Sequence, residues 1–221
     1  MHTESTSRRS LITGLGAAAA GVALATRPAR AATAAGAFTP ARHEEDAWFD
    51  GVPGVHRVFI DSGSAEGASD ALLYANNIFN ANKSGYGLDE KQIAIIVCFR
   101  HRSTPFGFSN AMWEKYGESL TRMSRYELGT GETPPRKNPQ WGTAGSPRGI
   151  EGLAGRGVQF AICDMATHGL ARQIAGATGG DDAAIYKDLR ANAIPNAHFV
   201  AAGVVGVTRA QEYGYSLLVA G

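Results

Sequence analysis

Five short apolar runs, separated by segments with helical periodicity, constrain the fold of this chain more than any other feature. The second run, QIAIIVCF at 92–99, is almost continuously apolar, as is typical of a parallel strand covered by helices on both faces. The alternation of runs and helical segments predicts an α/β domain with a mainly parallel sheet of about five strands. The other runs are HRVFIDSG at 56–63, VQFAIC at 158–163, HFVAAG at 198–203 and YSLLVA at 215–220.

The N-terminal segment has the three parts of an export signal. Arg8 and Arg9 lie in the polar start SRRSLIT, a mild Gly/Ala/Leu stretch follows at 11–24, and Ala-Arg-Ala at 29–31 is a small-x-small cleavage site. The paired arginines predict a twin-arginine signal peptide at 1–31 and a periplasmic or otherwise exported mature protein. The alternatives are an ordinary amphipathic helix or an uncleaved anchor, although the apolar stretch is shorter than the about 20 residues of a membrane span.

Removal of the signal changes the charge balance of the chain. Residues 1–31 contain four arginines and one glutamate, a net of +3, so the rest of the +1 chain carries about −2. A near-neutral protein has no basic field for nucleic acid, and no stable membrane insertion is expected after cleavage. We interpret 32–54, which is rich in Ala, Gly and Pro and then acidic, as a flexible tether, and 55–221 as a single α/β domain.

Polar and sulfur-containing residues follow the predicted strands. Ligands of open α/β sheets bind outside the carboxyl ends of the strands, where the loops and helix N-termini meet. Asp61 and Ser62 end the first run, and Cys98 and Cys163 stand at the ends of the second and third. We therefore predict a site there, with Cys163 as its reactive residue. The predicted binding residues are Cys98, Arg100, His101, Asp164, His168 and Ser62.

Cys163 has a physical case for reactivity. A helix-like stretch follows it at once, and the positive end of a helix dipole favours a thiolate. Arg100, His101 or His168 would add a cation nearby, whereas Asp164 would oppose the thiolate. The alternative is a buried structural thiol, because a free cysteine behaves as a small hydrophobic residue. This alternative is stronger for Cys98, which is embedded in IIVCF.

Two further interpretations of the cysteines remain open at this stage. In an oxidising compartment Cys98 and Cys163 would form a disulfide if their Cα atoms lay within about 7 Å. Alternatively, soft ligands near the strand ends would hold copper as Cu(I) or zinc, although no paired CxxC motif is present. The candidate ligands for such a metal are Cys163, Met165, His168 and His101.

Several segments resemble the DsrE/DsrF-like sulfur-relay family over residues 55–221. The apolar strand ending in Cys163, followed by a helix with small residues and a Gly-Leu turn, is similar to that family's pattern. The C-terminal segment HFVAAGVVGVTRAQEYGYSLLVAG resembles the family's ending. IIVCFRHRSTPFGFSNAMWEKYG, at 95–117, resembles exported members, which carry similar Arg-His, Pro-Phe and Met-Trp-x-Lys-Tyr runs.

The resemblance implies a three-layer α/β/α subunit that assembles into a trimer or a hexamer. It also implies that Cys163 accepts sulfur as a persulfide and passes it on, with a donor or acceptor protein or a small sulfur compound as partner. The chain departs from the relay members because only His168 and Arg172 represent their basic segment, and because those members are cytoplasmic. The expected function is thus a sulfur carrier or thiol-redox protein. The alternatives are a noncatalytic module for a small ligand or soft metal, or an oligomeric scaffold.

Overall fold

The five apolar runs form the strands of one sheet. A computed structural model describes residues 39–221, in which the strands are all parallel and lie in the order β4-β3-β2-β1-β5. The predicted α/β fold with a parallel five-stranded sheet is therefore confirmed. The strands are β1 at His56–Ser62, β2 at Ile93–Phe99, β3 at Gln159–Cys163, β4 at Ala197–Val200 and β5 at Ser216–Ala220.

Helices connect successive strands, as the helical periodicity predicts. The first long helix ends at Tyr86, because the residue that follows it, Gly87, adopts a left-handed backbone (φ 67°). The helices are α1 at Trp48–Gly51, α2 at Ala65–Tyr86, α3 at Asn110–Ser124, α4 at Ile150–Gly155, α5 at Asp164–Thr178, α6 at Asp182–Ala191 and α7 at Gly203–Glu212. Short 3₁₀ helices lie at Glu44–Asp46, Glu90–Gln92 and His101–Gly107.

Helices cover both faces of the sheet, which gives three layers, but the two faces are covered unequally. Side chains alternate along each strand, so Ile95 and Val97 contribute to one apolar core and Ile96 and Cys98 to another. The first core contains residues of α2 to α6 and is the larger. Within residues 39–221, the second core is covered by α7 and by the segment that precedes β1. We call these the thick face and the thin face of the sheet.

The segment before β1 packs on the thin face, which differs from the tether expected at 32–54. Phe49 in α1 is fully buried, and its carbonyl accepts a hydrogen bond of 2.7 Å from the Tyr215 hydroxyl. Trp48 stacks on His198 with ring centroids 4.0 Å apart, and partial burial lowers the pKa of His198. Residues Pro40–Gly221 form one compact unit, so 40–54 belong to the domain.

The predicted signal peptide at 1–31 lies outside the described residues, as does the first part of the predicted tether. Within residues 39–221, none of the helices is both long enough and apolar enough to cross a membrane. The export prediction therefore rests on the sequence pattern of the N-terminal segment.

Candidate functional site

Both cysteines lie on the thin face at the carboxyl end of the sheet. In the strand register Asp61 is opposite Cys98, and Cys98 is opposite Ala161. Because side chains alternate along strands, Asp61, Cys98 and Cys163 all project from this face. The structure thus brings together the two predicted cysteines and a carboxylate that the predicted binding set omitted.

Asp61 and Arg100 form a bidentate ion pair. Arg100 Nε and Nη2 donate to the two Asp61 carboxylate oxygens, each at 2.7 Å. The Asp61 side chain is only 5% exposed and the Arg100 side chain 29% exposed, so water screens the pair weakly. The stem of Arg100 lies against Gly203 at the start of α7, where a Cβ atom would overlap it. The guanidinium is therefore fixed by charge and by packing.

The fixed guanidinium lies within electrostatic range of both thiols. The pKa of Arg100 is raised chiefly by its hydrogen bond to Asp61, against the effect of partial burial, and interactions with Cys98 and Cys163 raise it further. The same attraction lowers the pKa of the Cys98 thiol, against the effect of its burial. Arg100 is thus a permanent cation that is positioned to stabilise negative charge on sulfur.

Cys98 does not exploit this cation. Its side chain is fully buried in the thin-face core. Burial raises the pKa of the Cys98 thiol well above its ordinary value, the Asp61 charge raises it further, and Arg100 only partly opposes them. Cys98 therefore remains a neutral thiol, in agreement with its interpretation as a structural residue.

Cys163 is both the last residue of β3 and the N-cap of α5. Its Sγ accepts a hydrogen bond from the Ala166 amide at 3.4 Å, and the residue is 7% exposed. The residues that follow Cys163 thus form the helix that the sequence predicts, and the Cys163 side chain lies at the N-terminus of that helix. Cys163 therefore combines a favourable position for charge with limited access for reagents.

The two cysteines are neighbours without being bonded. β2 and β3 are adjacent, but Cys98 is opposite Ala161, so Cys163 is diagonal to it and two residues further along. Diagonal positions on neighbouring strands lie about 7–8 Å apart, beyond the usual reach of a disulfide. Both thiols are free in the structure.

Asp164 and His168 belong to a separate polar cluster between α5 and α6. Asp164 accepts hydrogen bonds of 2.9 Å from the Tyr186 hydroxyl and from Arg190 Nη1. The imidazole of His168 stacks on the Tyr186 ring with centroids 3.8 Å apart, and its Nε2 lies 3.7 Å from an Asp164 oxygen. These contacts tie the two helices together. Asp164 is therefore already compensated by a cation rather than opposing a thiolate alone.

Ser62 and His101 have different surroundings from the cysteines. The buried Ser62 hydroxyl donates to the Cys98 carbonyl at 2.6 Å, but Ser62 projects from the thick face of β1. It therefore holds β1 and β2 together. His101 is exposed with a left-handed backbone (φ 53°), and within the described residues its imidazole has no hydrogen bond or ion pair.

The structure does not assemble the predicted metal ligands. Met165 is 68% exposed on α5, His168 is stacked on Tyr186, and His101 lies in another loop. Within residues 39–221, no group of three or more His, Cys, Asp or Glu side chains is arranged to hold a metal ion.

Two contacts of the site were not predicted, although the sequence places Asp61 at the edge of the sheet where the site lies. Asp61 stands inside the apolar run HRVFIDSG, and a charged residue in a buried strand requires a partner, which is the signal that identifies it. The contact between Arg100 and Gly203 joins residues that are distant in sequence, and only the packing of α7 brings them together.

Comparison of the chain with protein-family models, with curated proteins and with solved structures finds no match. The resemblance to the DsrE/DsrF-like family therefore rests on the sequence segments described above. The geometry of the carboxyl edge supplies the physical arguments for function.

Proposed function

We propose that this chain is an exported DsrE-like protein that carries sulfur, or performs thiol-redox chemistry, on Cys163. The observation that carries this proposal is the Arg100 guanidinium, which Asp61 holds within electrostatic range of Cys163, the thiol that caps α5. A cation and helix N–H groups together favour the nucleophilic form of a cysteine. The paired arginines Arg8 and Arg9 support export by the twin-arginine route.

The proposed transfer follows the mechanism of thiol–disulfide exchange, so it needs no external oxidant or reductant. The Cys163 thiolate attacks the outer sulfur of a persulfide or polysulfide donor, and a bond forms between Sγ and that sulfur. The bond between the outer sulfur and the donor breaks, and the donor leaves as a thiolate. An acceptor thiolate then removes the sulfur by the same exchange and restores Cys163. The anionic persulfide that exists between these steps lies within the range of Arg100.

The exposure of Cys163 bears on the identity of its partner. Only 7% of the Cys163 surface is accessible. A small sulfur compound therefore reaches the thiol more easily than a cysteine on the loop of a partner protein does. The resemblance to the DsrE/DsrF-like family supports a homo-oligomer, a trimer or a hexamer, as the working form. We therefore propose a small polysulfide or persulfide as the first donor to test.

Native alkylation should distinguish the two cysteines. Iodoacetamide is expected to modify Cys163 and to leave Cys98 unmodified, because Cys98 is fully buried and its pKa is raised well above the ordinary value. Loss of the cation alone in Arg100→Met should slow alkylation of Cys163 by about threefold to tenfold, the effect of one partly screened charge, whereas Asp61→Asn/Arg100→Met, which loses an anion and a cation together, should change the rate less. Intact mass spectrometry against time gives both rates.

The double variant removes both charges of the pair, so it leaves no unpaired buried ion. Glu118→Gln/Arg122→Met is the matched control, because it removes an exposed ion pair on α3 and should leave the rate unchanged. Native Cys163 that resists alkylation, or a rate unaffected by loss of Arg100, would contradict the proposed role of the cation. A noncatalytic binding module or an oligomeric scaffold would then be the better interpretation.

A further inference from the structure

A cavity lies at the carboxyl end of β1, between the start of α2 and the end of α3. Its volume is about 550 Å³. Small-molecule sites in proteins typically have volumes of about 300–1,000 Å³, so the cavity is of that size. It includes neither cysteine in its lining. The charged residues that line it are Glu66, Arg102, Arg125 and Glu127, and its other polar or aromatic lining residues are Ser64, Ser69, Ser124 and Tyr126.

Two arginines of the cavity lack acidic partners, whereas arginines close to them in sequence are paired. Arg100 pairs with Asp61, and Arg122 pairs with Glu118 at 2.7 Å. Within residues 39–221, the side chains of Arg102 and Arg125 make no hydrogen bond or ion pair. Arg102 is half-buried, so its charge lies in a partly desolvated position.

Two carboxylates line the same cavity and are also unpaired. Glu66 and Glu127 make no ion pair with the cavity arginines or with any other described cation. Positive and negative side chains thus line one cavity without forming ion pairs with each other. A ligand with a single charge would match one pair and be repelled by the other. A ligand that carries both charges matches the two pairs.

The backbone fixes the position of Arg102 relative to Arg100. His101 adopts its left-handed conformation between them, and the Arg102 amide donates to the Gly63 carbonyl at 3.2 Å. Arg100 therefore serves the thin-face site, while Arg102 lines the cavity. The cavity and the cysteine site are separate parts of one sheet edge.

We propose that this cavity binds a small zwitterion of the α-amino acid class. Arg102 and Arg125 bind its carboxylate, since guanidinium groups match carboxylates with paired hydrogen bonds. Glu66 and Glu127 bind its ammonium group. The two glutamates disfavour a phosphate dianion, and the volume of the cavity suits a small molecule. This proposal goes beyond the sulfur chemistry and does not depend on Cys163.

Ligand-detected NMR tests the proposal with the common L-amino acids as probes, each at millimolar concentration. At least one amino acid is expected to bind, whereas propionate and ethylamine, which carry one charge each, are not. Arg125→Ala and Glu66→Gln should each weaken binding by about tenfold, the effect of one charged hydrogen bond. Arg122→Ala is the matched control on α3 and should bind as the wild type does.

Three results would overturn the proposal. They are no binding of any amino acid, undiminished binding to Arg125→Ala and Glu66→Gln, or equal binding of propionate. Arg102→Ala is a second variant with the same expected loss, and its melting temperature without ligand establishes that it is folded. If it does not fold, the exposed Arg125 still decides the outcome. Cys163→Ser should bind the amino acid normally, which separates this result from the test of sulfur transfer.

Discussion

Arg100→Met is expected to lower the free energy of unfolding by about 4 kcal/mol, the effect of leaving one member of a buried ion pair without its partner. The Asp61 side chain is 5% exposed, and both of its oxygens accept hydrogen bonds from Arg100. Methionine fills part of the space against Gly203 but leaves the carboxylate without a cation. Urea denaturation of the purified protein gives the free energy.

Two further variants show whether the loss of stability comes from breaking the Asp61–Arg100 pair or from removing any charged side chain. Asp61→Asn/Arg100→Met should recover much of the stability, because no buried charge remains without a partner. Arg122→Met breaks an exposed pair and should cost less than about 1 kcal/mol. A loss of stability for Arg100→Met no greater than that of Arg122→Met would show that the Asp61–Arg100 pair does not act as a buried anchor.

Phe49→Ala is expected to lower the free energy of unfolding by about 3–5 kcal/mol, as is usual for removal of a buried aromatic side chain. Phe49 is fully buried on the thin face, where it contacts Phe59, Tyr213 and Tyr215 at ring-centroid distances of 5.3 to 6.3 Å. Among residues 39–221, only α7 and the segment before β1 cover this face of the sheet, so loss of the Phe49 ring leaves a cavity. Thermal and urea unfolding would measure the loss.

Val55→Ala is the control for this second prediction. Val55 lies between α1 and β1 and is 79% exposed, so its truncation should change stability by no more than about 0.5 kcal/mol. If Phe49→Ala were as mild as Val55→Ala, the segment before β1 would be the flexible tether that its composition suggests. A large loss supports its inclusion in the domain.

The sequence predicts the strands well because their apolar runs must be buried. QIAIIVCF becomes β2, in which all seven residues Ile93–Phe99 are buried. HFVAAG is wrong at its end, since β4 stops at Val200 and Gly203 already begins α7. The packing of Phe49 could not be predicted from the sequence. Ala47, Trp48 and Phe49 stand together between acidic residues, and so short an apolar run shows neither the helical nor the strand period. Their burial depends on the sparse cover of the thin face.

The site is predicted in its elements but not in its pairings. The apolar run before Cys163 and the helix after it place this residue at an N-cap, as the structure has it. The ion pair of Arg100 with Asp61 depends on the register of β1 against β2, which one sequence does not specify. The spacing of Asp164 and His168 places both on one side of α5. The partner helix α6, which supplies Tyr186, follows only from the fold.

The central claim is that Cys163 accepts sulfur. The most direct test is the intact mass of the purified protein after incubation with inorganic polysulfide, before and after reduction, with Cys163→Ser beside the wild type. We expect a reducible adduct of about 32 Da, one sulfur atom, on the wild type and none on the variant. An unmodified wild type, or an equal adduct on Cys163→Ser, would contradict it.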